Sequence, residues 1–252
     1  PDRPVAMIAA RISDVRPNQE VTRVTYGLLN LTHRHGSETP EALEPGRRYR
    51  VRVQLNDVAY RFVAGHTVRL GVSTSYWPMI WPAPRPVHLK LYTGTSTLDL
   101  PVRPERAADA DLAPFEPPER GPQTEPEALQ TGEFRRTVER NLINNETRYR
   151  VFNEGGDFGG ASLAYIEDID LTVGYSLGKY YRIHEYDAGG AEARIDQTCT
   201  LERGNWSTRL ECITILSADA ECFRLQARLI AHEGDELFLS REWDESIPRR
   251  LI

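Results

Sequence analysis

Cysteine is scarce in this chain. Cys199, Cys212 and Cys222 are an odd, widely spaced set, which excludes a disulfide framework and the close spacing of a zinc site. Lysine is scarcer still: of 31 Lys and Arg residues, all but Lys90 and Lys179 are arginine. We read that skew as base composition with a minor preference for bidentate surface pairs, not as a phosphate partner. A basic excess is lacking as well, since 37 Asp and Glu give a formal net charge of −6. Non-specific nucleic-acid binding is therefore not expected. No apolar run reaches the roughly eighteen residues of a membrane span, and no charged-then-apolar leader follows Pro1. The expectation is a cytoplasmic chain with no membrane partner and no cofactor, forming a piece of a longer protein. Its 252 residues suffice for one large domain or two small ones.

What is present is strand pattern. Tyr49, Val51, Val53 and Leu55 alternate with Arg48, Arg50, Arg52 and Gln54, the period-two signature of a half-buried strand. The turn triplet Glu44-Pro45-Gly46 leads into it. Val68, Leu70 and Val72 repeat the alternation, as do Val87, Leu89 and Leu91. Val5 to Val15 and Val21 to Leu31 are further extended candidates. Such spacing predicts an antiparallel sandwich or barrel.

From Pro101 to Pro126 seven prolines crowd the chain. Proline removes ladder donors and stiffens extended backbone, so this stretch reads as a linker. We place one β unit at 1–102, the linker at 103–133 and a second β unit at 134–252. Glu125 to Leu142 is the one helix-like stretch, interrupted at Thr131-Gly132. Beyond it, Ile195 to Leu216 predicts a hairpin turning at Gly204-Asn205. A two-residue loop there pairs Leu201 with Thr208, Cys199 with Leu210 and Gln197 with Cys212. That register sorts apolar from polar residues and makes Cys199 and Cys212 diagonal neighbours beyond easy disulfide reach. Phe223 to Leu229 and Leu237 to Trp243 follow as strands around Glu233-Gly234-Asp235.

Few residues suggest chemistry. Gly174-Tyr175-Ser176-Leu177-Gly178 matches the G-x-S-x-G elbow that lifts a serine nucleophile out of a sheet, with Asp219 and His232 in the matching chain order. The elbow needs a following helix, whereas Lys179 to His184 reads as a strand, so the plainer reading is a turn with glycines at both ends. His33 and His35 would share a strand face, but no third ligand completes a metal site. His66, after Ala64-Gly65, is expected to bond the backbone of a turn. Asn153 to Gly160 lacks the spaced oxygens of a calcium loop and the Lys-Ser/Thr of a phosphate loop. It reads as a flexible hairpin loop. Ser73 to Pro82 is the unusual segment: Tyr76, Trp77 and Trp81 stand among prolines, as in rigid aromatic loops that form interfaces or line pockets. A loop folded over its own core is the alternative.

Several segments, in order, resemble a known family. They are Arg11 to Val15, Thr25 to Arg34, Leu43 to Gly46, Tyr60 to His66 with Arg69-Leu70, and Ser73 to Pro82. Together they resemble the C-terminal jelly-roll domain of the X-Pro dipeptidyl-peptidase and cocaine esterase (CocE/NonD) serine hydrolases over about residues 1–102. Residues 134–252 resemble a further β-rich extension carried by some members. The resemblance implies a mainly β fold: an antiparallel, galactose-binding-like jelly-roll sandwich that lacks its first strands, then a second β-rich antiparallel domain. It implies a non-catalytic portion of an ester or amide hydrolase, packed on an upstream α/β-hydrolase domain and helping to shape the substrate cleft. No catalytic residue is carried over. Tyr76, Trp77 and Trp81 are the candidates for the cleft or the domain interface. The unpaired edges of an incomplete jelly roll also suggest a homo-oligomer. Two rivals remain: a free-standing jelly-roll module that binds carbohydrate or another ligand, and an independent hydrolase using Ser176.

Overall fold

The computed structural model describes residues 1–119, 121, 126–155 and 160–252. Its strands form two antiparallel sheets, as the mainly β pattern predicts. The first sheet has the order β2-β1-β3, with β1 at Met7–Val15, β2 at Val21–Asn30 and β3 at Thr67–Ser73. All three fall where the sequence places extended segments. β1 is central and buried on both faces, with Ile12 only 1% exposed. Burying one such isoleucine contributes roughly 1.5–3 kcal/mol.

The alternating segment 48–55 departs from expectation in part. Tyr49, Val51, Val53 and Leu55 do turn inward while the arginines face solvent. Yet the segment joins neither ladder, and Val87 to Leu91 behaves the same way. Tyr49, Val51, Val53, Val87 and Leu89 instead pack on the core of Ala6, Ile8, Leu31 and Leu43. Alternation reports which side of a segment is buried. It does not report whether a neighbouring strand takes up the backbone hydrogen bonds. Gly27 on β2 explains how closely this extended chain passes: a Cβ there would lie 2.0 Å from the Gln54 carbonyl oxygen.

Among its described residues the proline-rich segment between the sheets forms one short 3-10 turn, Ala107–Asp111, tied by an Arg103–Asp109 pair. Residue 120 and residues 122–125 of this segment lie outside the described residues. The helix-like reading of Glu125 to Leu142 is corrected. Strand β4, Glu127–Thr131, and strand β5, Phe134–Asn141, occupy it. Helix propensity in a short window yields here to strand pairing. The corner between them needs glycine, because a Cβ on Gly132 would meet the Glu154 carbonyl oxygen at 1.5 Å.

The second sheet continues with β6 at Glu146–Asn153, β7 at Ala161–Ile166, β8 at Leu171–His184, β9 at Asp187–Arg203, β10 at Trp206–Ala218, β11 at Cys222–Glu233 and β12 at Glu236–Pro248. Its order is β12-β11-β10-β9-β8-β6-β5, and β7 joins β4 to β8. The hairpin register matches the sequence reading: Leu201 pairs Thr208, Cys199 pairs Leu210 and Gln197 pairs Cys212. Gly204 has φ 57°, at the position where a two-residue II′ loop wants glycine. Gly234 repeats the device between β11 and β12. The three cysteines are free and half-buried, and burial pushes the Cys199 thiol pKa up.

This sheet is amphipathic. One face carries the row Tyr175, Cys199, Leu210, Ala231 and Leu239 across five strands. The other carries ion pairs, including Arg182–Glu192, Arg194–Asp196, Arg224–Asp244 and Arg228–Glu242.

Candidate functional site

The aromatic loop that follows β3 stands between the two sheets. Trp77 and Trp81 meet edge to face, with centroids 5.0 Å apart. Trp77 then reaches Tyr181 of β8 at 6.0 Å, and Trp81 reaches Phe223 of β11 at 5.6 Å. Both indoles therefore lie on the apolar face of the second sheet. Edge-to-face pairs of this kind add to plain area burial. Neither indole N–H has a hydrogen-bond partner among the described residues, although both nitrogens are buried.

Tyr76 turns the other way, toward the first sheet. Its ring meets Tyr26 edge to face at 5.6 Å, lies under the Arg11 guanidinium at 4.8 Å and accepts a hydrogen bond from Arg23. Arg11 is held in place by donating to Ser73. The loop thus grips β1 and β2 through Tyr76 and the distal sheet through its two tryptophans.

A second clamp was not legible in the sequence. Arg249, 9% exposed, donates to the carbonyls of Pro82, Asp219 and Ile252 and stacks over Phe223 at 4.7 Å. Burial lowers its pKa from the ordinary arginine value. The residues after β12 continue to the first sheet, where the Leu251 carbonyl accepts from Asn30 Nδ2 and Thr32 Oγ1. An arginine after a strand-ending proline carries no signal of such a role. Its hydrogen-bond acceptors are all backbone oxygens.

A polar cluster around the buried Asp14 sits at the far end of β1. Asp14 accepts from Tyr60 Oη at 2.7 Å, and His66 Nδ1 lies 2.9 Å from both of its oxygens. The His66 hydrogen bond, then the Tyr60 one, holds the Asp14 carboxyl below its usual range against desolvation. The same bond raises the Tyr60 pKa. The expectation that His66 bonds turn backbone is corrected. Its backbone N–H does donate to Val63, but the ring addresses a carboxylate.

The G-x-S-x-G reading is overturned. Ser176 lies mid-strand in β8 opposite Thr198, with no sharp turn and no following helix. Asp219 lies between β10 and β11, and His232 is on β11, three strands away from β8. The turn reading fails too. Gly174 and Gly178 are strand residues without positive φ. Their reason is crowding: a Cβ would meet Thr200 Oγ1 at 2.3 Å and Tyr180 Oη at 2.6 Å, respectively.

His33 ends a 3-10 turn at Leu31–His33 and His35 follows it, so they share no strand face. Among the described residues no three His, Cys, Asp or Glu side chains gather as metal ligands. Residues 156–159 of the glycine-rich loop lie outside the described residues. One shallow depression of about 380 Å³, lined by Ile213, Ile215, Gln226, Arg228, Glu242 and Asp244, offers ion-paired walls and no nucleophile. No helix among the described residues is long and apolar enough to cross a membrane.

Two antiparallel β-sheets tied by an aromatic clamp define a β-rich module. Residues 1–129 match the family model for the X-Pro dipeptidyl-peptidase C-terminal non-catalytic domain, and the chain belongs to that family. As a C-terminal non-catalytic domain it implies a catalytic domain ahead of it in the parent. No curated protein and no solved structure matches the chain.

Proposed function

We propose that this chain is the C-terminal portion of a CocE/NonD-type serine hydrolase acting on ester or amide bonds. It packs on the α/β-hydrolase domain and shapes the substrate cleft. The observation that carries this reading is the family match over residues 1–129, which spans the Ser73–Pro82 loop. Within this chain Tyr76, Trp77 and Trp81 tie the two sheets together, so their contribution to a cleft is to hold the loop rigid. Met79, at the loop tip, is exposed and available to a neighbouring domain.

The test uses the parent hydrolase. Met79→Asp is expected to raise KM for a chromogenic ester or X-Pro amide, with kcat much less affected. Unchanged KM and kcat would remove the loop from the cleft. A glycan array tests the rival binding module, and selective sugar binding by the chain would favour that alternative.

A further inference from the structure

Strand β12 is an open edge. It pairs with β11 on one side and with nothing among the described residues on the other. It runs for 13 residues, all exposed, and has no proline before Pro248. Sheet edges are normally short, bulged, covered or charged; this one carries a bulge at Phe238, and residues 239–247 beyond it are unbulged. Its apolar-face residues Leu239, Trp243 and Ile247 are 37%, 39% and 48% exposed. Between them stand Arg241 and Glu245, and neither has an ion-pair partner among the described residues. The polar-face acids Glu242 and Asp244 are already paired, to Arg228 and Arg224 on β11.

These residues form a self-complementary sequence. Two copies of β12 related by a two-fold axis perpendicular to the sheet pair antiparallel. Each position then faces one of the same parity, which keeps side chains on the same side of the sheet. Centring the axis on Trp243 places Trp243 against its own copy. Arg241 then faces Glu245 and Leu239 faces Ile247, each twice. Ser240 faces Ser246. The one like-charge pairing, Glu242 against Asp244, also occurs twice and is relieved by the arginine already beside each acid. Centring on Glu242 instead sets Glu242 against itself and Leu239 against Glu245. Centring on Arg241 sets two arginines together. Register, charge and apolar exposure thus agree on one arrangement.

The chain has surface to give. It exposes 18135 Å², whereas a compact monomer of 28.7 kDa exposes about 11,300 Å². A specific interface needs only about 800 Å² per partner.

We infer that β12 is a homodimer interface, in which a second copy of this chain adds its own β12 antiparallel about Trp243 and extends the second sheet across the two-fold. Light scattering and sedimentation on the 252-residue chain test it. The expected result is a reversible species of twice 28.7 kDa. Arg241→Glu, an exposed change with the fold followed by circular dichroism, is expected to weaken dimerisation roughly tenfold by facing two glutamates. The double variant Arg241→Glu/Glu245→Arg is expected to restore it. In an otherwise cysteine-free background, Trp243→Cys is expected to cross-link two copies on mild oxidation, because facing Cα atoms in an antiparallel pair lie about 4.5–5.5 Å apart. A monomer at all concentrations overturns the inference. So does a dimer insensitive to Arg241→Glu, or one that fails to cross-link through position 243, since a different surface would then carry it.

Discussion

Asp14 and His66 lie 52 residues apart, yet both carboxylate oxygens of Asp14 sit 2.9 Å from His66 Nδ1. The pair fastens the segment before β3 to the end of β1. Its carboxyl is held below the ordinary value of 3.8 in the folded chain. The sign follows directly. A depressed folded pKa contributes stability that is complete above the unfolded value and lost as pH falls through the folded one. Wild type is therefore expected to lose Tm more steeply than Asp14→Asn below about pH 4, with the variant less stable at pH 7. Parallel acid limbs for the two proteins would show that Asp14 does not carry this dependence.

The aromatic clamp separates ring packing from its unused donor. Trp81→Ala is expected to cost about 2 kcal/mol, less than the roughly 3–5 kcal/mol of a fully buried aromatic because the indole is half-buried. Trp81→Phe keeps a ring against Phe223 and removes an N–H that has no partner among the described residues. It is expected to stay within about 1 kcal/mol of wild type. Urea midpoints measure both. A Phe variant as damaged as the Ala variant would show that the indole donor matters.

Gly132 and Gly94 make a paired test of close approach. A Cβ on Gly132 would meet the Glu154 carbonyl at 1.5 Å, whereas Gly94 has nothing within 4 Å and no positive φ. Gly132→Ala is expected to cost about 3 kcal/mol, since the backbone of two strands must separate. Gly94→Ala is expected to be neutral or to stabilise by about 0.5 kcal/mol through the unfolded chain. Equal effects would mean that the β4–β5 corner is not tightly constrained.

Arg249 joins three backbone carbonyls from three segments. Arg249→Met removes all three bonds while keeping much of the apolar stem. The expected cost is about 2 kcal/mol, dominated by the buried Pro82 carbonyl left without its donor. Hydrogen exchange should quicken at residues 250–252 and around Thr32. Exchange confined to residues 250–252 would mean that the tail does not brace the first sheet.

Ser176 provides a chemical control. Half-buried in mid-strand opposite Thr198, with no turn to lift it out of the ladder, it is expected to resist a fluorophosphonate probe, and Ser176→Ala to leave the labelling pattern unchanged. Labelling at Ser176 would reopen the hydrolase reading.

Much of the fold was legible where local pattern and pairing coincide. Cys199 against Leu210 follows from a two-residue loop at Gly204-Asn205, because turn length fixes register and period two fixes the face. Residues 48–55 were legible only by half. Their arginines and apolar residues sort correctly, but pairing depends on which strand lies alongside, and no local pattern states that. The helix-like Glu127 to Gln130 joined β4 because β7 offered an edge. The clamp was half legible as well. Tyr76, Trp77 and Trp81 announce an aromatic loop, while their partners Tyr181 and Phe223 sit more than a hundred residues later in strands with no distinguishing mark. Arg249 bonds only backbone, and backbone carbonyls are the same whatever the sequence.

The bond from Asn30 to Leu251 spans 221 residues. Synthesis runs in one direction, so the end of β2 emerges with its eventual partner still unmade. The cost of closing so long a loop grows only slowly with length, but contacts this remote in sequence slow folding. The two sheets must each form before the tail can find Asn30 and Thr32. Until then the first sheet waits with an open flank, and its completion is timed by the last residues of the second.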